Sequence, residues 1–374
     1  CLGRQNTVKY GSSKTVFIVI TIHLYYNNLT ISGQKLPGLR TDTRHLSLLF
    51  QEIKRMKTRN KLLTLLILAA GDAAATACIN KAIKLSAISR HILENESSAS
   101  LCYHWRFGNI HYTKEGSGKP ILLIHDLSPA SSGYEWKEFA RRLAKDRTVY
   151  TIDLLGFGRS EKPNLTYTNY LYVQLISDFI KSEIGHRTDV AATGDSSSIA
   201  VMACSNSPEL FDRLLLINPE SLLSSSLVPG KNARLYKLIL DLPIAGTLIY
   251  NIACSRKNLT QDFMSRCFCN PYSVNSRLVD AYYEAAHLGA SPKSIYASVK
   301  CNYTKCNITT ALRRIDNSIC LFGGAELDGM SETMEDYQNY NPAIETVPVP
   351  KAKHLPHLES PARFYELFRP YLEN

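Results

Sequence analysis

Val190-Ala191-Ala192-Thr193-Gly194-Asp195-Ser196-Ser197-Ser198 is the stretch whose reading decides the fold. Its apolar start predicts a buried strand, its small residues a tight turn, and the following Ile199 to Asn206 a helix. A strand that turns sharply into a helix forces the residue at its apex into a strained backbone conformation. The residues two before and two after that apex must then be small, so that strand and helix can approach. Centred on Ser196, the pattern puts Gly194 and Ser198 in those places; Gly194 meets the demand fully and Ser198 in part.

Outward from this turn, short apolar runs alternate with helical stretches. Pro120 to Ile124 ending in His125, Val149 to Asp153, Leu214 to Ile217, Ser318 to Phe322 and Glu345 to Val349 predict strands. Trp105 to Tyr112 alternates as one edge strand. Glu135 to Lys145, Asn169 to Ile184, Glu332 to Tyr340 and Pro361 to Leu372 predict helices. This rhythm means an α/β fold with a mostly parallel central sheet and helices on both faces. Between 222 and 316 the strand signal lapses and helical stretches such as Arg234 to Leu240 and Arg277 to His287 take over. That segment is expected to be a helical lid inserted into a core made of 98–221 and 317–374.

Charge is distributed unevenly. The chain has 374 residues, with 43 Lys+Arg and 33 Asp+Glu. Residues 1–90 hold 14 basic and 3 acidic residues, so the remainder holds 29 and 30 and is almost neutral. That pattern points to a targeting leader or a membrane surface rather than a nucleic-acid groove. The expected leader is 1–97, and a chain starting near Ser98 is expected to fold. Within the leader, Val16 to Tyr26 has the length of a signal-peptide core, but no cleavage-like site follows it. Leu62 to Ile79 could just span a bilayer, with Asp72 near its middle costing about 2.5–3.5 kcal/mol. Membrane association through 62–79 therefore stands beside an Ala-rich helix in a chloroplast transit-like leader. The ten cysteines form no C-x-x-C pair, so neither a zinc site nor a redox pair is indicated.

Two further motifs carry a resemblance. Asp153-Leu154-Leu155-Gly156-Phe157-Gly158-Arg159-Ser160 and His354-Leu355-Pro356-His357-Leu358-Glu359-Ser360-Pro361 resemble segments of the α/β-hydrolase superfamily, in particular plant α/β-hydrolase-like proteins with a plastid-type leader. With the 194–198 turn and the strand ending in His125, four motifs stand in family order from about residue 104 onward. The resemblance implies the α/β-hydrolase fold, with Ser196 as nucleophile and His354, in preference to His357, as base. It implies Asp328 as the acid, with Glu326 and Glu220 as alternatives, and an oxyanion hole from the backbone N–H groups of Leu127 and Ser197. Asp126, Ser198 and Lys353 stand where that family has glycine, which would strain the site if their backbones were left-handed.

The implied chemistry is hydrolysis of a small, apolar ester or acyl substrate through an acyl-enzyme, with no metal or organic cofactor and no nucleic-acid partner. A non-catalytic relative that binds an apolar ligand or acts as a scaffold is the second expectation. An aspartate nucleophile is the third, disfavoured because Asp195 precedes the apex.

Overall fold

The computed structural model describes residues 58–95 and 100–373. The expected signal-like run at Val16 to Tyr26 lies outside the described residues. The chain divides into two compact units, Cys1–Ala75 and Thr76–Asn374. The leader expected from composition runs to 97; the second compact unit begins at Thr76. What is described of the first unit is the start of a single helix, α1 (Thr58–Ile88). Among the described residues no single helix is long and apolar enough to cross a membrane.

The second unit is built on an eight-stranded sheet in the order β1-β2-β4-β3-β5-β6-β7-β8. Its strands are β1 (Ser100–Trp105), β2 (Gly108–Glu115), β3 (Lys119–Ile124), β4 (Arg147–Ile152), β5 (Thr188–Thr193), β6 (Phe211–Ile217), β7 (Ser318–Gly324) and β8 (Glu345–Val349). From β4 to β8 neighbouring strands are parallel; β1 and β2 form an antiparallel edge. Helices cover both faces, so the central strands are buried throughout, which is why Ile121 to Ile124 and Leu214 to Ile217 are continuous apolar runs. The expected single edge strand over 105–112 is instead a hairpin. Its turn is Arg106-Phe107, and Gly108 at φ +149° starts the return strand.

Helices of seven residues or more are numbered in chain order. In the sheet layers these are α2 (Lys137–Leu143), α3 (Asn169–Phe179) and α4 (Ser196–Asn206), and, after the insertion, α10 (Met330–Tyr340) and α11 (Pro361–Phe368). The insertion itself contains α5 (Ala233–Asp241), α6 (Ala245–Ala253), α7 (Arg256–Asp262), α8 (Ser276–His287) and α9 (Pro292–Lys300), and no strand among the described residues, as expected for 222–316. One face of the sheet packs on α3 and α4. The other buries Trp136, Phe139, Phe322, Phe364 and Phe368 in an aromatic cluster with α2 and α11.

The segment just before β1 is part of this body. Ala87 and Leu93 are buried, the latter against Ala281 and Ala285 of α8. Asn251 donates to Asn80 at 2.7 Å, Lys84 donates to the Gly289 carbonyl at 2.6 Å, and Arg159 donates to the Leu93 carbonyl at 2.9 Å. Arg90 pairs with Asp280, and the Ile92 N–H reaches Glu284 at 2.8 Å. Residues 76–93 therefore hold insertion and core together. A chain beginning at Thr76 is expected to keep the full-length thermal midpoint, and one beginning at Ser98 to melt lower by about 5–10 °C. Calorimetry of the two truncations checks this; equal midpoints would show that residues 76–97 add nothing.

Candidate active site

Three strand ends converge on the candidate site: His125-Asp126 after β3, Gly194-Asp195 after β5, and the loop carrying His354 after β8. The turn after β5 has its apex at Gly194, the residue there with left-handed backbone, φ +56°. Strand β5 ends at Thr193 and α4 starts at Ser196. The small residues flanking the apex at two positions are thus Ala192 and Ser196. The sharp turn exists as expected, two residues earlier than a reading centred on Ser196.

All three serines then bond to backbone carbonyls. Ser196 Oγ donates to the His125 carbonyl at 2.5 Å, Ser197 Oγ to Ala192 at 3.0 Å and Ser198 Oγ to Asp195 at 2.9 Å. Ser196 is fully buried, and among the described residues no hydrogen bond joins it to His354. The structure therefore does not assemble the expected Ser196–His354 pair. The Ser197 N–H closes the first helical turn onto the Gly194 carbonyl at 3.1 Å, so it points away from an oxyanion.

In the place of an apex side chain lies the carboxylate of Asp126. A Cβ built on Gly194 would fall 2.3 Å from Asp126 Oδ1. That oxygen accepts the N–H groups of Leu127 at 2.8 Å and Asp195 at 3.0 Å. Two converging backbone donors of this kind form an oxyanion hole. The structure places the Leu127 N–H, one of the two donors expected, on this oxygen, and beside it the N–H of Asp195 rather than that of Ser197, as the apex at Gly194 requires. The other oxygen, Oδ2, faces His354 Nε2 at 3.2 Å. Burial alone would raise the Asp126 carboxyl. The hydrogen bond and charge of His354, the Arg266 guanidinium and the Asp195 N–H outweigh it and hold the carboxyl well below its usual range.

The carboxylates expected to serve His354 lie elsewhere. Asp328 and Glu326 are exposed beside the start of α10, lining a cavity of about 670 Å³ with Met330 and Glu335. Glu220 lies 3.7 Å from Lys305 Nζ, and that lysine also clamps Asp195, at 2.8 and 3.1 Å. Asp126 is the one carboxylate among the described residues within ion-pair distance of His354. Nor do the three absent glycines strain the backbone, since none of Asp126, Ser198 and Lys353 has a positive φ; Lys351 does, at +52°.

Buried polar groups fix these parts. His125 Nδ1 donates to the Asp126 carbonyl at 2.7 Å while Nε2 accepts the Leu154 N–H at 3.0 Å, which defines a neutral tautomer. Asn218, after β6, donates to the carbonyls of Lys353 and His354 at 2.8 and 2.9 Å and accepts from Gly324 at 2.7 Å. Its left-handed backbone, φ +46°, suits asparagine better than most residues. This one amide ties the ends of β6 and β7 to the histidine loop. Asp153 accepts from Gly133 at 2.6 Å and Arg159 at 2.9 Å, so the Asp153-to-Ser160 motif braces the loop after β3.

Beneath Asp126, Glu135 accepts the Asp126 N–H at 3.2 Å and lies 3.5 Å from His357, which stacks on Trp136 with centroids 3.9 Å apart. Burial pushes Glu135 up to about 8 and His357 down to about 3, so both are neutral at pH 7. His357 is thus a packing histidine, and His354 alone faces the site.

Two outcomes follow. The folded state holds the Glu135 proton that the unfolded chain releases above its ordinary value of 4.5. Wild-type stability should therefore fall relative to Glu135→Gln between pH 5 and 8, by up to about 1.4 kcal/mol per pH unit. Denaturation of both proteins across that range checks it, and parallel pH profiles would contradict it. Gly194→Ser should destabilise through the clash with Asp126 as well as the left-handed backbone, which costs about 1–2 kcal/mol. Adding Asp126→Gly should recover the clash part, read as a favourable coupling in a double-mutant cycle; additive effects would contradict the geometry.

Comparisons with known proteins agree with the fold. Over 72 residues the chain is 36% identical to the 2-hydroxy-6-oxo-6-(2'-aminophenyl)hexa-2,4-dienoic acid hydrolase of Metapseudomonas resinovorans, covering 19% of this chain and 25% of that protein. Over 59 residues it is 42% identical to a haloalkane dehalogenase of Agrobacterium fabrum, covering 16% and 19%. The matches thus span a quarter or less of these curated relatives. The crystal structure of a serine hydrolase involved in carbazole degradation superposes with a TM-score of 0.61 at 16% identity, covering 74% of this chain and 98% of that one. Residues 121–367 match the model of the alpha/beta hydrolase family, and the chain belongs to that family.

Proposed function

We propose that the chain is a hydrolase whose working carboxylate is Asp126 and whose base is His354, acting on small molecules with an electrophilic saturated carbon. The observation that carries this reading is the division of labour within the Asp126 carboxylate. Oδ1 lies between two backbone N–H groups, and Oδ2 faces an imidazole nitrogen. A serine acyl-enzyme needs the hole empty for the substrate's carbonyl oxygen, and here Oδ1 fills it. A carboxylate nucleophile needs the opposite arrangement, one oxygen already in the hole.

Oδ2 attacks a carbon bearing a leaving group, the carbon–leaving-group bond breaks with its electron pair, and Asp126 becomes an alkyl ester. Esterification removes the charge that holds the Nε2–H of His354, so the imidazole turns to a water and takes its proton as the water oxygen adds to Cγ. The oxyanion that forms is Oδ1, already held by Leu127 and Asp195. Collapse expels the alcohol, which takes the proton from His354; the water's second proton, left on the new carboxyl, passes through the imidazole to solvent with the departed leaving group's counter-charge, and the carboxylate is regenerated. Tyr282 of α8 supplies a donor for the leaving group. Its buried hydroxyl has no hydrogen-bond partner among the described residues, and Asp126 is among the charges that, after burial, raise it well above its ordinary value. Halides, epoxide oxygens and carboxylates are the leaving groups that fit, and the last keeps apolar esters among the substrates.

Ligand binding without turnover is a second reading, favoured by one feature: the low, ionised Asp126 is already paired to His354 and closed to acyl groups. His354→Gln separates the two, because it permits alkylation and stops hydrolysis of the ester. Incubated with a panel of 1-haloalkanes, terminal epoxides and activated alkyl esters, this variant is expected to gain the mass of one alkyl group on the peptide containing Asp126, and His354→Gln with Asp126→Asn to gain none. An adduct on Ser196, or none with any class, would contradict the carboxylate mechanism.

A further inference from the structure

Helix α5 is turned with its apolar face outward. Leu235, Leu238, Ile239 and Leu242 recur at i, i+3, i+4 and i+7 and are all exposed, Leu238 at 63%. The face turned to the protein carries Ala233, Leu240 and the ion pair Lys237–Asp241, and Lys293 of α9 donates to the carbonyls of Asp241 and Leu242 at 2.6 and 2.8 Å. A helix stabilised by folding alone would bury the leucines and leave the ion pair in water. The exposed row is extended in sequence by Leu223, Leu227 and Val228 before α5 and by Ile244 after it. Such apolar exposure marks a contact surface.

The charges around it indicate what it contacts. Between Leu223 and Ala253 the basic residues are Lys231, Arg234 and Lys237, and Asp241 is the single acid, already paired with Lys237. Lys231 and Arg234 are exposed beside the leucine row, and Lys300 is exposed on α9, which packs against α5. Two such positively charged faces repel one another, which disfavours a second copy, whereas an anionic lipid surface complements both the apolar row and its basic rim. Together α5 and α6 have the hydropathy of a membrane span, but they meet at 93°, and Leu248 and Tyr250 of α6 are buried in the body. A bent pair anchored on one side lies along an interface rather than crossing it.

We infer that this face of the insertion, α5 with the segment from Leu223, docks the protein onto an anionic bilayer surface with its leucines in the acyl-chain boundary and Lys231 and Arg234 among the headgroups. The inference is independent of the chemistry assigned to Asp126. It also places the insertion that covers the site against a source of apolar substrates.

The test uses the full chain carrying Leu238→Trp, because the basic leader can itself hold the chain on vesicles and only a local reporter reads the lid. The native Trp105 and Trp136 are buried, and the chain without the substitution supplies the background. With vesicles of phosphatidylcholine and phosphatidylglycerol carrying brominated acyl chains, the introduced indole is expected to shift blue and be quenched, and far less so with phosphatidylcholine alone. Lys231→Ser with Arg234→Ser should weaken this response by about tenfold. Leu235→Asp with Ile239→Asp should abolish it while the far-ultraviolet circular dichroism is unchanged. An indole that stays unquenched while the chain sediments with vesicles would overturn the proposal, since the leader alone would then be the anchor. So would a blue shift without lipid that grows with protein concentration, which would assign the face to a second copy.

Discussion

Two backbone N–H groups converging on one carboxylate oxygen are the constraint around which the site is built. Asp126 Oδ1 cannot hold Leu127 and Asp195 together unless the turn after β5 lacks a side chain at its apex, and Gly194 is that absence. The sheet order places β5 next to β3, so the two strand ends meet at the point where the connections to the two sides of the sheet diverge. His354 is brought to the same point by Asn218, which spends its amide on the loop after β8. Remove the carboxylate and three loops lose their common partner.

The fold was legible because its signals are long and mutually consistent. Strands buried on both faces must be apolar throughout, and the alternation of Ile121-to-Ile124-like runs with amphipathic helices admits few architectures. The insertion was equally plain from the lapse of strand signal after Leu222. The hairpin was missed because Arg106-Phe107 carries no turn chemistry; what bends the chain is Gly108, lying inside what looks like one alternating strand. That residues 76–93 pack on the folded body was not legible, because they share the basic, acid-poor character of the leader and most of their hydrogen-bond partners, from Asn251 to Gly289, lie 171–205 residues away.

The register of the turn was the costly ambiguity. From Ala191 to Ser198 every residue but Asp195 is small, so the rule of small residues two either side of the apex is met at Gly194 as well as at Ser196. A serine at the centre suggested chemistry, whereas its hydroxyl serves the backbone. The signal that could have settled the register was Asp126: a carboxylate where a close approach to the turn calls for glycine needs room, and only an apex without Cβ provides it. The insertion then reaches into the same site through three links, Lys305 to Asp195, Lys353 to the Ser265 carbonyl and the Leu355 N–H to the Cys267 carbonyl. The first of these links ties the insertion to the residue whose N–H Asp126 Oδ1 accepts.

The central claim is the identity of the group that occupies the oxyanion hole, and a high-resolution crystal structure of the chain from Thr76 onward measures it most directly. Asp126 Oδ1 is expected within hydrogen-bond reach of both the Leu127 and Asp195 N–H groups, with Gly194 at positive φ and His354 Nε2 against Oδ2. An empty hole, with Ser196 Oγ turned toward His354 and the apex of the turn at Ser196, would contradict it.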